Sequence, residues 1–218
     1  MNEQRQQLPR FIVIEGIDGS GTTTQTKRLA ERMRLEGRAV ITTCEPTSGP
    51  IGKLLRLALQ GGLGREPAIH AELDWATMAL LFAADRTDHV TSQIAPALSQ
   101  GTTVICDRYD LSSRIYQSLT APQANLALPW ICQINSQVPR PDITFVLAVD
   151  VTLAAQRRQE RSETTELYEG LALQRELARA YGDAQRYVPN DRLSYVPGDL
   201  SVPEVTERLY RACCDPEK

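Results

Sequence analysis

Phe11-Ile12-Val13-Ile14-Glu15-Gly16-Ile17-Asp18-Gly19-Ser20-Gly21-Thr22-Thr23-Thr24 decides the fold. Five residues form an apolar, largely β-branched run, three glycines interrupt it, and helix formers continue from Thr23 to Glu36 until Gly37 stops them. A strand that feeds a glycine loop and then a helix cradles phosphate with backbone N–H groups and the helix dipole. A plain glycine turn is the alternative, although three glycines followed by Thr22-Thr23-Thr24 at a helix start are costly for a turn with no task. Such loops carry lysine where this chain has Thr22. Anion binding survives that change, whereas transfer of a phosphoryl group needs a cation from elsewhere.

Outward from the loop, apolar strand-like runs recur at Ala39–Thr43, Thr102–Cys106, Ile143–Ala148 and Leu193–Val196. Helical stretches lie between them at 51–60, 73–98, 112–119, 125–137, 153–161, 167–187 and 202–213. The alternation predicts an α/β fold with a five-stranded parallel sheet covered on both faces, whose ligands bind beyond the carboxyl ends of the strands. Three polar clusters follow strands directly: the glycine loop, Glu45-Pro46-Thr47-Ser48-Gly49-Pro50 and Asp107-Arg108-Tyr109. They are expected to share one rim.

The 218 residues, 42% hydrophobic and 23% charged, suit one domain with a large core. A net charge of −3 leaves no basic footprint for a nucleic acid polymer and no polybasic stretch for a membrane surface. The longest strong apolar run, Met78–Ala84, is too short to span a bilayer, and Met1–Pro9 lacks an apolar signal core, so a cytoplasmic location is expected. Cys44, Cys106, Cys132, Cys213 and Cys214 show no metal-ligand spacing and read as reduced thiols. His70 and His89 fall in a helical stretch and read as helix-surface residues.

The chemistry-bearing positions follow from these placements. Thr23 occupies the position whose hydroxyl ligates Mg²⁺ in phosphate loops, and Asp107 ends an apolar strand where a carboxylate commonly holds the same ion; a helix cap or salt bridge is the plainer role for Asp107. Arg108 suits bidentate capture of a second phosphate. Phe82 and Arg86 lie four apart on one helix face, able to stack on a base and read its exocyclic oxygen, or else to be a core ring beside a surface arginine. Arg157, Arg158 and Arg161 lead into the polar segment 162–166 and look like a lid that delivers charge on closing, or like a solvated face neutralised by Glu160, Glu163 and Glu166.

Taken together, residues 11–21, Glu45-Pro46 with Pro50, Gly52 and Arg56, the run Leu81–Arg86 and the string Asp107-Arg108-Tyr109-Asp110-Leu111-Ser112-Ser113-Arg114-Ile115-Tyr116-Gln117 resemble the thymidylate (dTMP) kinase family over about 10–210. The resemblance implies a three-layer P-loop NTPase fold of the nucleoside monophosphate kinase type, a single domain over 10–214, a mobile lid at about 157–169, and flexible tails at 1–9 and 215–218. It implies ATP bound at Gly16, Ile17, Asp18, Gly19, Ser20, Gly21, Thr22, Thr23 and Thr24, with Mg²⁺ at Thr23 and Asp107. Phe82 would stack on thymine, Arg86 would read its O4 edge, and Ser112, Ser113 and Gln117 would help recognise the nucleotide. Tyr116 would lie under the deoxyribose and disfavour a 2′-hydroxyl. Arg56 and Arg108 would hold the dTMP phosphate, with Asp18 near it and Glu45 ordering the pocket. Arg108, Arg157 and Arg161 would be catalytic, and the family suggests a homodimer. The chain departs from the family at Thr22 and at Cys44, where many bacterial members have arginine. The activity implied is transfer of the ATP γ-phosphoryl group to dTMP. A nucleotide-binding module without turnover and a kinase for another nucleoside monophosphate are the competing readings.

Overall fold

The computed structural model describes residues 8–61, 73–160, 168 and 170–214. Five parallel strands, β1 (Phe11–Glu15), β2 (Val40–Cys44), β3 (Thr103–Asp107), β4 (Ile143–Ala148) and β5 (Leu193–Pro197), lie in the order β2-β3-β1-β4-β5. The central strand β1 is buried at every position, as are all of β3 and all but the last residue of β4, so these runs read as continuous apolar segments rather than alternating ones. The order reverses beside β1, because the chain moves from β1 to one edge and later returns to the other. A switch of this kind opens a crevice beyond the strand ends.

Helices cover both faces. α1 (Thr22–Leu35) and α9 (Val202–Cys214) pack Leu29, Met33, Val205 and Leu209 against Ile12, Ile14, Phe145 and Leu147. A second cluster joins Ile17, Leu111, Ile115 and Val146 to Leu177, Tyr181 and Val188 under α5 (Asp110–Thr120) and α8 (Leu171–Gly182). The remaining helices are α2 (Pro50–Leu59), α3 (Trp75–His89), α4 (Ala95–Ser99), α6 (Ala124–Ile134) and α7 (Val151–Gln159).

The single helix predicted over 73–98 is instead α3, a π-helical turn at Val90–Ile94, and α4. Pro96 has no backbone N–H to return to residue 92, and the wider π turn absorbs the missing bond at the second position of α4. The helix predicted over 167–187 is α8 followed by a 3₁₀ turn at Ala184–Arg186, with Asp183 as the C-cap. His89 is a correction to the sequence reading: it is fully buried, not a surface residue. Helical periodicity could not show this, because the face on which His89 sits is turned toward the end of β2. His70, Arg161, Glu163, Glu166 and the tail residues 1–7 and 215–218 lie outside the described residues. All five cysteines are free.

Candidate active site

The three strand-end clusters do share one rim, and with α2, α3, α5 and α7 they enclose a cleft of about 620 Å³, a size that suits small-molecule sites. On the loop side, Gly21 is the left-handed N-cap of α1, so the first backbone N–H groups of that helix open into the cleft beside Thr22 and Thr23. Gly19 has a positive φ of 89°, and a Cβ there would fall 2.2 Å from the carbonyl oxygen of Ala154. The α7 backbone therefore rests directly on the loop. Gly16 and Ser20 are buried beneath it, and the Ile17 side chain belongs to the core, so only backbone groups of Ile17 remain for a ligand. Thr24 is exposed and does not line the cleft.

The magnesium candidates meet. Thr23 Oγ1 donates to Asp107 Oδ2 at 2.5 Å, and Asp107 Oδ1 is buried without a hydrogen-bond partner. An orphaned carboxylate oxygen beside a loop hydroxyl fits a divalent ion, and Mg²⁺ usually takes one or two carboxylates and completes its shell from phosphates and water. Among the described residues no group of three His, Cys, Asp or Glu side chains forms an all-protein cage.

Arg108 crosses the cleft. Its Nη2 meets Asp18 Oδ1 at 2.7 Å, and Nη1 lies 3.3–3.4 Å from Ser112 Oγ, Tyr116 Oη and Tyr181 Oη. It is the only non-glycine residue with a positive φ among the described residues, at 67°. A left-handed arginine costs backbone strain, and such strain concentrates at ligand sites. The cation also lies over the Tyr116 ring, 5.6 Å from its centroid.

At the opposite end of the cleft from the loop, Arg86 is almost wholly buried, with 1% of its surface exposed. Its Nε and Nη2 meet Glu45 Oε2 at 2.9 and 2.8 Å, Nη1 meets Asn135 Oδ1 at 2.5 Å, and Nη2 also reaches Ser113 Oγ at 2.8 Å. The surface-arginine alternative is thereby removed. Glu45 gives its second oxygen to His89 Nδ1 at 3.0 Å, and His89 Nε2 lies 2.5 Å from Thr43 Oγ1. Glu45 thus orders this end of the pocket by holding Arg86 and His89 together. Phe82 and Gln117 line the same end, and the buried Gln117 Oε1 has no partner. Arg56 reaches the Pro46 carbonyl oxygen and lies 3.8 Å from the Cys44 sulfur, which places the departure at Cys44 beside the acceptor candidate Arg56 on one wall.

Of the lid arginines, Arg158 lines the cleft and donates to the carbonyl oxygen of Asp18 at 2.6 Å. Arg157 donates to Gly198 O at 2.9 Å beyond β5, and Arg161 lies outside the described residues. Several site residues escaped the sequence reading. Gln174 on α8 donates to Asp18 Oδ2 and to the Tyr168 carbonyl oxygen, and Tyr168 packs on Tyr116 with ring centroids 5.4 Å apart. Glu15 and Tyr181 lie beneath the lining and hydrogen-bond to Ser112, and Asn135 accepts from Arg86. Glu15 alone had a visible signal, a carboxylate ending a buried strand; the others come from segments distant in sequence and carry no local pattern.

Known proteins agree with this architecture. The sequence model of the family described as thymidylate kinase matches residues 14–208. A probable thymidylate kinase of Pyrococcus horikoshii is 42% identical over 183 residues, covering 84% of this chain and 86% of that protein. One from Pyrococcus abyssi is 44% identical over 172 residues, covering 78% and 80%. One from Methanococcus vannielii is 41% identical over 174 residues, covering 80% and 77%.

Proposed function

The chain belongs to the thymidylate kinase family, and from that premise we propose that it transfers the γ-phosphoryl group of ATP to dTMP, giving dTDP and ADP and so supplying dTTP synthesis. The observation that carries this reading is one continuous cleft with a phosphate loop at one end, an arginine at its centre and a base pocket at the other.

In the reaction, an oxygen of the dTMP phosphate attacks the γ-phosphorus, a new P–O bond forms, and the bond to the β–γ bridging oxygen breaks with its electron pair leaving on ADP. The acceptor is already anionic, so no general base is required, and catalysis rests on positioning and charge stabilisation. The α1 N-terminus and loop N–H groups hold the donor phosphates. Arg108, with Arg56 at the wall, holds the acceptor phosphate; Asp18 keeps Arg108 aligned. Phe82 stacks on the base, Tyr116 lies under the sugar, and the free Gln117 Oε1 accepts the ring N–H that thymine has and cytosine lacks. Mg²⁺, held by Thr23 and Asp107, supplies charge neutralisation on the ATP phosphates when bound. The lysine absent at Thr22 is replaced in charge by Arg158, with Arg157 and Arg161 adding to the closed lid over about 157–169.

The same reading makes the molecule a single P-loop domain in the cytoplasm, and a homodimer. The exposed Leu80 on α3 and Leu126 on α6, beside the packed Trp75–Trp130 pair, support a paired surface. No helix among the described residues is long and apolar enough to cross a membrane. The test is a coupled assay of ADP release with ATP and Mg²⁺, comparing dTMP, dUMP, UMP and CMP. Rapid turnover specific to dTMP is expected; absence of turnover that Thr22→Lys restores would instead mark a binding module.

A further inference from the structure

Beneath Arg108 lies a buried carboxylate to which phosphoryl transfer assigns no task. Glu15 ends β1 with no exposed surface. Its Oε1 accepts the backbone N–H of Tyr109 at 2.8 Å and of Ser112 at 3.2 Å, capping the first turn of α5, whose own N-cap residue Tyr109 offers no side-chain bond. Its Oε2 lies in a triangle of three oxygens. Ser112 Oγ is 2.6 Å away, Tyr181 Oη is 3.0 Å away, and those two hydroxyls are 2.9 Å from each other.

Three hydrogen-bonded edges need three hydrogens, and two hydroxyls own only two. With Glu15 ionised, both hydroxyls point at Oε2 and the Ser112–Tyr181 edge has no proton. With Glu15 protonated on Oε2 the ring closes: Glu15 donates to Tyr181, Tyr181 to Ser112, and Ser112 back to Glu15. The remaining Oε1 is then a carbonyl oxygen, the role in which it accepts two backbone N–H groups. Arg108 Nη1 stands 3.3–3.4 Å from both hydroxyl oxygens and can donate to lone pairs that the closed ring leaves free.

The charged and titratable groups around Glu15 are consistent with the neutral acid. Arg108 is the cation that faces it, and that guanidinium is shared with Asp18 at 2.7 Å. Tyr181 faces it from α8, Tyr116 from α5 and Cys106 from β3, all neutral at physiological pH and pushed up by burial. Burial raises the Glu15 carboxyl to about 7 against the opposing pull of Arg108 and of the hydrogen bonds from the Ser112 hydroxyl, the Tyr109 backbone and the Tyr181 hydroxyl.

We propose that Glu15 is a positioning residue held as the neutral carboxylic acid, and that its proton leaves the charge of Arg108, otherwise shared only with Asp18, to the dianionic acceptor phosphate. The proposal rests on Arg108 being the acceptor-phosphate arginine. An ionised Glu15 would put a second buried anion beside the incoming dianion. It would also break the hydroxyl ring on which Arg108 rests. Acceptor binding therefore weakens as pH rises through neutrality, opposite in sign to the gain that a phosphate acceptor shows as its own second proton leaves.

Two measurements test this. In wild-type protein labelled with ¹³C at glutamate carboxyl carbons and assigned by comparison with Glu15→Gln, the Glu15 resonance is expected to titrate near neutrality; titration below about pH 5 with ordinary carboxylates overturns the proposal whatever the protein's activity. In the coupled assay, Glu15→Gln mimics the protonated acid. The ratio of its kcat/KM for dTMP to that of wild type is expected to rise at least about fivefold from pH 6.5 to 8.5, with the ratio of KM values for ATP steady. An unchanged dTMP ratio, or an equal rise for ATP, overturns it. If Glu15→Gln does not fold, Tyr181→Phe and Ser112→Ala, each removing one ring hydroxyl, supply the assignment, and loss of the near-neutral titration in both is the expected result. A dTMP-inactive protein in which Glu15 still titrates near 7 would overturn the kinase reading and leave the neutral acid standing.

Discussion

The guanidinium of Arg158 and the main-chain carbonyl oxygen of Asp18 meet at 2.6 Å, directly over a phosphate loop that has threonine at position 22. Arg158 is one helical turn beyond Ala154, whose carbonyl lies where a Gly19 Cβ would be. Contact of α7 with the loop at Ala154 thus carries Arg158 over the loop on the same helix face. Arg158→Ala is expected to lower kcat about 100-fold, roughly 2.7 kcal/mol of transition-state stabilisation. In a Thr22→Lys background the same change should cost less than about threefold. Equal losses in the two backgrounds, measured by steady-state ADP release, would assign Arg158 a structural role only.

Gly19→Ala tests the contact itself. The left-handed backbone and the Ala154 carbonyl both oppose a methyl group at this position. Because α7 must lift from the loop, kcat/KM for ATP is expected to fall at least tenfold, with a drop of several degrees in Tm. A variant with wild-type kinetics would show that the close approach is dispensable.

Gln117 Oε1 is a buried acceptor awaiting a donor. Gln117→Leu removes it without opening the site, and the hydrogen bond lost should cost about 1–1.5 kcal/mol, near tenfold in KM for dTMP. kcat should change little, and rejection of CMP, which has no N–H at ring position 3, should weaken. An unchanged dTMP/CMP preference would assign base reading to Arg86 and Ser113.

Glu15 also predicts a pH dependence of folding. Its folded value near 7 lies above the ordinary carboxylate value of 4.5, so between those limits the native state binds the extra proton and stability falls as pH rises. The loss is complete above about pH 7 and is on the order of 3 kcal/mol. Asp110 has the opposite sign. Although burial opposes it, Arg140 and Arg114 hold its carboxyl below the usual range, so its contribution is present above about pH 4 and is lost in stronger acid. Denaturant titrations of Glu15→Gln and wild type should therefore diverge in favour of the variant from pH 5 to pH 8. A constant difference over that range would contradict the assignment.

Sequence reading reached far for this chain because its main signals are local. A strand, glycine loop and helix within fourteen residues define the phosphate cradle, and apolar strands alternating with helices define a parallel sheet with its ligand rim. Asp107 and Arg108 could be placed because they directly follow a strand. Periodicity failed at 89, where it reports a helix but not which neighbour covers the face, and at 90–96, where Pro96 converts one helix into two joined by a π turn. Which of the adjacent Arg157 and Arg158 faces the loop was equally hidden, since successive helical side chains point about 100° apart and only packing chooses between them. The proton proposed for Glu15 depends on Ser112 and Tyr181, hydroxyls 97 and 166 residues away in sequence. Backbone hydrogen bonding and apolar patterning therefore settled the scaffold from the sequence alone. Charge placement and protonation were decided by tertiary structure, because they depend on distances of about 3 Å between side chains that only folding brings together.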